Sequence, residues 1–174
     1  MKFFPIAIAI VILLAAALYG FETYTQGEKQ SDSRLFSDYK KGTYMIADRP
    51  VQLGTEGVAY FGNEVMADFD GDGDQDVAFL ITEQPGGSGT FFYLVGAVNE
   101  DGAYRGTQAM LIGDRIAPQT TEFKNGLVIV NYADRGPTEP MSTKPSFGKS
   151  LYAKYSASTN DFGEVVQNFE GESR

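Results

Sequence analysis

The sequence contains no cysteine, no histidine and no tryptophan among its 174 residues. Without cysteine and histidine there are no disulfides, no thiolate nucleophiles, no zinc sites built on sulfur or imidazole, and no haem held by histidine. Catalytic pairs in which histidine activates a serine or a cysteine are excluded as well. A metal site in this chain would therefore be built from oxygen ligands.

Basic residues are scarce, with 14 Lys and Arg against 23 Asp and Glu, which gives a net charge of −9. Residues 1–21 contain Lys2 and no acid, so the rest of the chain carries a net charge of −10. A domain with this charge repels nucleic-acid phosphates and anionic membrane surfaces. We therefore predict no nucleic-acid partner, whereas the acidity suits solubility and cation binding.

Residues 3–21, FFPIAIAIVILLAAALYGF, form an uncharged run. At about 1.5 Å per residue, a helix of this length would just cross a hydrocarbon core of about 30 Å. Residues 1–21 are predicted to be a signal anchor in the membrane, or a signal peptide cleaved near the small residues 15–17. Lys2 before the run and Glu22 after it favour a domain outside the cytoplasmic membrane, which would be secreted if cleavage occurs.

Residues 22–42 are polar with little periodicity and are predicted to be a linker. The chain then becomes a series of short alternating or β-branched runs separated by turn residues, and Asn125-Gly126 is a strong signal for a two-residue hairpin turn. Because no long helical period is present, we predict an all-β domain over residues 43–174, mainly antiparallel, as a sandwich or an open barrel. The predicted strand runs are 43–46, 50–53, 58–61, 64–68, 76–82, 90–98, 108–113, 120–124, 127–132, 150–156 and 164–169.

One motif carries specific chemistry. Residues 68–76 read DFDGDGDQD, which places a carboxylate at every second position of a glycine-rich turn: Asp68, Asp70, Asp72, Asp74 and Asp76. Calcium takes six to eight oxygen ligands, and glycines let a chain fold tightly around the ion. Carboxylates this close repel one another unless a cation lies between them. We predict that these five residues form a calcium site, with Asp74 contributing its backbone carbonyl; the alternative is an acidic turn without an ion.

The motif differs from an EF-hand, because loop position 12 is Phe79 rather than an acid and a strand-like run follows the loop. The pattern D-x-D-G-D-G-x-x-D between two strands instead resembles the calcium loop of FG-GAP and VCBS repeats, which occur in β-propeller blades. The resemblance implies that the aspartate side chains at positions 1, 3, 5 and 9, together with the carbonyl of position 7, bind calcium. A propeller needs several such blades, and this chain has one loop, so the propeller fold is not implied.

A broader resemblance extends over most of the domain. It is carried by the segments FGNEV (61–65), GGSGTFFY (86–93), GDRIAPQTTE (113–122), VNYADR (130–135) and FGEVVQNFEGE (162–172). These look like a family of small membrane-anchored or secreted bacterial proteins without a characterised activity. The resemblance implies an envelope location and a single calcium loop, and it implies no activity.

Other residues leave alternatives open. Asp114-Arg115 and Asp134-Arg135 could grip a carboxylate or a sugar, or could fix loops as structural pairs. Pairs drawn from Glu122, Asp134 and Glu139 could hydrolyse a glycan. Aromatic residues could form a binding platform or fill the core; they are Tyr60, Phe61, Phe91, Phe92, Tyr93, Tyr132, Tyr152 and Tyr155.

The functional hypothesis is a non-enzymatic, calcium-stabilised β domain that binds an envelope protein or a glycan outside the cytoplasmic membrane. A cell-wall glycan hydrolase with paired carboxylates is one alternative. A periplasmic inhibitor of a wall-degrading enzyme is the other, with the proline-rich residues 134–148 as its insertion element.

Overall fold

The computed structural model describes residues 35–167, which form antiparallel β-sheets and contain no α-helix. The predicted all-β fold is confirmed for this part of the chain, and residues 1–21 lie outside it. A 3₁₀ turn covers Tyr39–Lys41. The strands are β1 (Leu35–Phe36), β2 (Thr43–Ile46), β3 (Arg49–Gln52), β4 (Val58–Ala67), β5 (Asp76–Glu83), β6 (Phe91–Glu100), β7 (Ala103–Gly106), β8 (Met110–Asp114), β9 (Ala117–Lys124), β10 (Leu127–Asp134), β11 (Phe147–Ser156) and β12 (Asp161–Glu164).

The strands are distributed over three sheets. A six-stranded sheet has the order β1-β7-β6-β5-β4, and β8 joins it by pairing with the first half of β6. A four-stranded sheet has the order β12-β11-β10-β9, and β2 and β3 form a separate hairpin. Within residues 35–167, no helix is long and apolar enough to cross a membrane.

A first core cluster lies between the two large sheets. The six-stranded sheet contributes side chains such as Leu80 and Leu94, and the four-stranded sheet contributes Val130, Tyr155 and others. Alternation along β10 and β11 directs every second side chain into this cluster. The two sheets are therefore held together by apolar burial.

A second core cluster covers the opposite face of the six-stranded sheet. Val77, Phe79 and Ile81 of β5 pack there against Tyr44 and other residues of the β2–β3 hairpin and its flanking segments. Because β5 is covered on both faces, nearly all of its residues are buried. This explains why residues 76–82 form a continuous apolar run instead of an alternating one.

Several strand boundaries differ from those predicted. The predicted runs 58–61 and 64–68 are one strand, β4, interrupted by irregular pairing near Gly62, where Asn63 has a positive φ of 52°. The prediction for 164–169 was wrong for residues 165–167, which are not strand: β12 begins at Asp161, directly after the turn at 157–160, and its pairing with β11 ends at Glu164. The hairpin at Asn125-Gly126 is confirmed: both residues have positive φ and connect β9 directly to β10.

The six-stranded sheet also includes residues from the segment interpreted as a linker. Leu35 and Phe36 pair with Arg105 and Tyr104 of β7. The 3₁₀ turn follows, with the Asp38 side chain accepting a hydrogen bond from the Lys40 N–H at 3.0 Å. This end of the 22–42 segment is therefore part of the folded domain.

A polar cluster fastens the 3₁₀ turn to β4. The hydroxyl groups of Tyr39 and Tyr60 donate to Glu64 Oε2 at 3.0 and 2.7 Å. Lys40 Nζ lies 3.5 Å from the same oxygen and 5.0 Å from the centre of the Tyr60 ring, a distance at which a cation–π attraction operates. The 3₁₀ turn and β4 are thus joined through two tyrosine hydroxyls and one lysine that all contact the same carboxylate.

We predict that Glu64 makes stability depend on pH. The hydrogen bond from Tyr60, assisted by Tyr39 and the charge of Lys40, lowers the pKa of the Glu64 carboxyl below its ordinary value despite partial burial. A carboxyl with a lowered folded-state pKa stabilises the protein above its unfolded-state pKa, and this contribution is lost as the pH falls through the folded-state value. In urea denaturation, Glu64→Gln should lower the free energy of unfolding more at about pH 7 than at about pH 2.

The matched variant for this prediction is Tyr60→Phe, which removes the strongest donor and keeps the ring. In this background, the pH dependence of the Glu64→Gln effect should shrink. An effect of equal size at both pH values in the native background would contradict the prediction.

Candidate metal site

The acidic loop connects two neighbouring strands of the six-stranded sheet. Ala67 at the end of β4 pairs with Asp76 at the start of β5, so residues 68–75 close a loop whose ends are held by the sheet. Gly71 and Gly73 have positive φ values of 87° and 101°, a conformation that favours glycine. The glycines predicted to fold the chain tightly therefore do so.

Aspartate side chains organise the backbone of the loop. Asp68 accepts hydrogen bonds from the N–H groups of Gly71 and Gly73 at 2.6 and 3.1 Å. Asp70 and Asp72 each accept one from the N–H two residues later, at 3.2 and 2.8 Å. Such turns are a usual role of aspartate in loops.

Asp76 is the anchor of the loop and is completely buried. Its Oδ2 accepts the Phe69 N–H at 3.0 Å, and its Oδ1 accepts the Asn99 N–H of β6 at 2.9 Å. Burial raises the pKa of the Asp76 carboxyl, although these two hydrogen bonds oppose the shift. Each oxygen retains acceptor capacity beyond its backbone partner.

Three carboxylates converge beside this anchor. Asp68, Asp70 and Asp76 each offer one oxygen, and the three oxygens lie within 4.8 Å of one another. Burial raises the pKa of the Asp70 carboxyl, and the nearby charges of Asp72 and Asp68 act in the same direction. A cation between the three oxygens would offset this repulsion. The loop is thus a three-aspartate cluster that could hold a metal ion.

The structure groups three of the five predicted ligands. Asp72 and Asp74 are exposed and do not belong to the three-oxygen cluster. The five-residue ligand set therefore stays a prediction. No local pattern predicts the hydrogen bond to Asp76 from the N–H of Asn99, which lies on β6, 23 residues further along the chain.

One of the two Asp-Arg dipeptides forms an ion pair within itself, and the other makes contacts with different residues. Arg115 Nη2 lies 2.8 Å from Asp114 Oδ2, whereas Asp134 pairs with Lys149 at 2.7 Å rather than with its neighbour. Arg135 is buried, and its guanidinium donates to the carbonyls of Thr143 at 2.6 Å and Arg115 at 3.0 Å. This arginine joins the loop of residues 135–146 to the end of β8.

The carboxylates considered for hydrolysis each have a partner within the fold. Glu122 accepts a hydrogen bond from Asn131 Nδ2 at 3.1 Å, and Glu139 accepts one from the Gly136 N–H at 2.7 Å. Among the aromatic candidates, Phe92, Tyr132 and Tyr155 belong to the first core cluster, whereas Phe61 is exposed. Core packing, one of the two alternatives for these aromatic residues, thus accounts for Phe92, Tyr132 and Tyr155.

Comparison of the chain with protein-family models, curated proteins and solved structures finds no match to any of them. The resemblance to FG-GAP loops therefore rests on residues 68–76 alone. What the structure supports is the three-aspartate cluster within an all-β fold.

Proposed function

We propose that the protein is a non-enzymatic calcium-binding β domain, displayed outside the cytoplasmic membrane, that binds a partner in the cell envelope. The observation that carries the proposal is the convergence of Asp68, Asp70 and Asp76, one of them completely buried, on a common point. Calcium would connect the loop to both β4 and β5. Its role in this proposal is to stabilise the domain.

Calcium suits this loop better than other common cations. Hard oxygen ligands on a flexible, glycine-containing turn match its variable geometry and high coordination number, whereas magnesium demands a strict octahedron and keeps several waters. The carbonyl of Asp74 and the side chain of Asp72 are close in sequence and could complete the coordination. The absence of histidine and cysteine disfavours softer metals.

The location rests on residues 3–21, which lie outside the described part of the chain. Their uncharged, apolar composition supports insertion into the cytoplasmic membrane, with the β domain on the outer side. Fractionation of expressing cells and N-terminal sequencing of the product would distinguish an anchored chain from a cleaved and secreted one.

Partner binding is supported by the loop of residues 135–146. Arg135 fastens its base, and hydrogen bonds from Glu139 N–H to Gly136 O and from Thr143 N–H to Pro140 O shape its two turns. Met141 at its tip is 44% exposed. A loop held by such hydrogen bonds loses less conformational freedom on binding than an unrestrained one. Co-sedimentation of the domain with isolated cell-wall material would test the glycan partner.

Calcium binding predicts a large change in thermal stability. With calcium at about 100 times its dissociation constant, the free energy of unfolding should rise by about 2.7 kcal/mol. For a domain of this size, the increase corresponds to a rise in melting temperature of roughly 10 °C. The measurement is a thermal melt in calcium, in magnesium and in chelator, and magnesium should have a much smaller effect.

Two double variants test whether the calcium-dependent rise in melting temperature comes from the acidic loop. Asp68→Asn with Asp70→Asn removes two ligand charges and should abolish the calcium shift. Asp48→Asn with Asp101→Asn makes the same change of charge outside the loop and should preserve it. If native protein melts at the same temperature in calcium and in chelator, the metal site is refuted.

A further inference from the structure

Phe69 connects the acidic loop to the first core cluster. It lies between Asp68 and Asp70, and its ring packs against rings of the four-stranded sheet. The ring centres of Phe69 and Tyr155 are 5.0 Å apart, and those of Phe69 and Phe162 are 5.4 Å apart. These separations are typical of favourable aromatic contacts. The loop thus reaches into the core between the sheets.

The rings that Phe69 contacts belong to one hairpin. Tyr155 of β11 pairs with Phe162 of β12, and their own ring centres are 5.7 Å apart. Because the Phe69 ring contacts both strands, its packing depends on whether the β11–β12 hairpin is closed. Loss of this hairpin would expose much of the Phe69 ring.

The packing behind these rings leaves little free space. A Cβ placed on Gly96 of β6 would lie 3.0 Å from the Phe162 ring and 3.1 Å from both the Phe69 ring and the Thr107 methyl group. A core packed this closely transmits a displacement of one ring to its neighbours. Phe69 therefore has few alternative positions while the hairpin is in place.

The backbone of Phe69 is bonded to a residue of the acidic cluster. Its N–H donates to Oδ2 of Asp76, and Asp68 and Asp70 are its neighbours in the chain. An ion bound by these three carboxylates would fix the backbone on both sides of Phe69. The ring would then be held against Tyr155 and Phe162 more firmly.

We propose that calcium in the 68–76 loop stabilises the β11–β12 hairpin against opening through Phe69. This inference rests on the proposed function and extends it to the regulation of a second sheet. The bound ion stabilises the hairpin that packs on Phe69 as well as its own loop. The β2–β3 hairpin packs in the second core cluster, on the opposite face of the six-stranded sheet from Phe69, and serves as the internal reference.

Hydrogen–deuterium exchange of the full chain, in calcium and in chelator, tests the proposal. In native protein, calcium should slow exchange both in residues 68–76 and in residues 151–164. With calcium at 100 times its dissociation constant, exchange should slow by up to about 100-fold at amides whose exposure requires an opening that releases the ion. Residues 43–52 should change much less.

Phe69→Ala is the decisive variant, with Phe69→Leu as a milder version if the alanine variant does not fold. Calcium should still slow exchange in the loop of this variant, because the carboxylates are retained. The effect of calcium on exchange in residues 151–164 should be largely lost. If calcium slows exchange in the hairpin of Phe69→Ala as much as it does in the native protein, the proposal is overturned.

The same experiment separates the two proposals. If calcium protects the loop and leaves the hairpin unchanged in native protein, the coupling is refuted and the calcium site stands. If calcium changes neither region, the calcium site and the coupling are both refuted.

Discussion

Replacing Asp76 by alanine is expected to lower the free energy of unfolding by about 3 kcal/mol in chelator and to abolish calcium binding. The buried carboxylate accepts the N–H groups of Phe69 and Asn99, and alanine would leave both donors without this partner. Hydrogen bonds to a charged group contribute about 1.5–3 kcal/mol each. Burial of the carboxylate is itself unfavourable, as its raised pKa indicates, so removing it offsets part of the loss. Urea denaturation and calcium titration measure the two effects.

The matched control is Asp74→Ala. Asp74 lies in the same loop and carries the same charge, but its side chain is exposed and its predicted contribution is a backbone carbonyl. This variant should change stability in chelator by less than about 0.5 kcal/mol, as is usual for surface positions, and should retain calcium binding. If Asp74→Ala loses as much stability as Asp76→Ala, the buried carboxylate of Asp76 is not the special anchor of the loop.

Replacing Phe79 by alanine is expected to lower the free energy of unfolding by about 3–5 kcal/mol, the range for large aromatic deletions in a core. Phe79 is completely buried in the second core cluster. Its ring centre lies 5.5 Å from that of Tyr44, 5.3 Å from that of Tyr60 and 5.7 Å from that of Tyr39. The loss would therefore affect the hairpin, β4 and the 3₁₀ turn together.

Phe61→Ala provides the comparison, because Phe61 is also an aromatic residue of the same sheet but lies on its edge strand β4 and is 43% exposed. It keeps one edge contact with Phe92, at 5.1 Å between ring centres. Its replacement should therefore destabilise the protein much less than Phe79→Ala in urea denaturation. Equal losses would show that the second core cluster contributes little beyond ordinary surface packing.

The local signals in the sequence were sufficient for much of the fold. Asn125-Gly126 predicts a tight hairpin because both residues tolerate positive φ, and the structure has it. The acidic loop was recognised because its glycines and carboxylates alternate at fixed spacing. These features depend on a few neighbouring residues, which is why a sequence alone reveals them.

Features set by distant residues were missed. β1 and β7 are two and four residues long, and their place is determined by pairing with each other and with β6. The Asn99 N–H reaches Asp76 because β5 and β6 are neighbours in the sheet. The position of Phe69 among the rings of β11 and β12 likewise follows from sheet packing, which no local pattern encodes.

The way Arg135 fastens its loop has a consequence for protein engineering. Its guanidinium bonds to main-chain carbonyls of Thr143 and Arg115, so the attachment does not depend on which side chains those positions carry. Residues 137–142 are exposed, and a foreign recognition peptide could replace them while the arginine continues to hold both ends of the insertion site. The protein thereby offers a scaffold for display without cysteine, on which a single added cysteine would be the only site for thiol labelling.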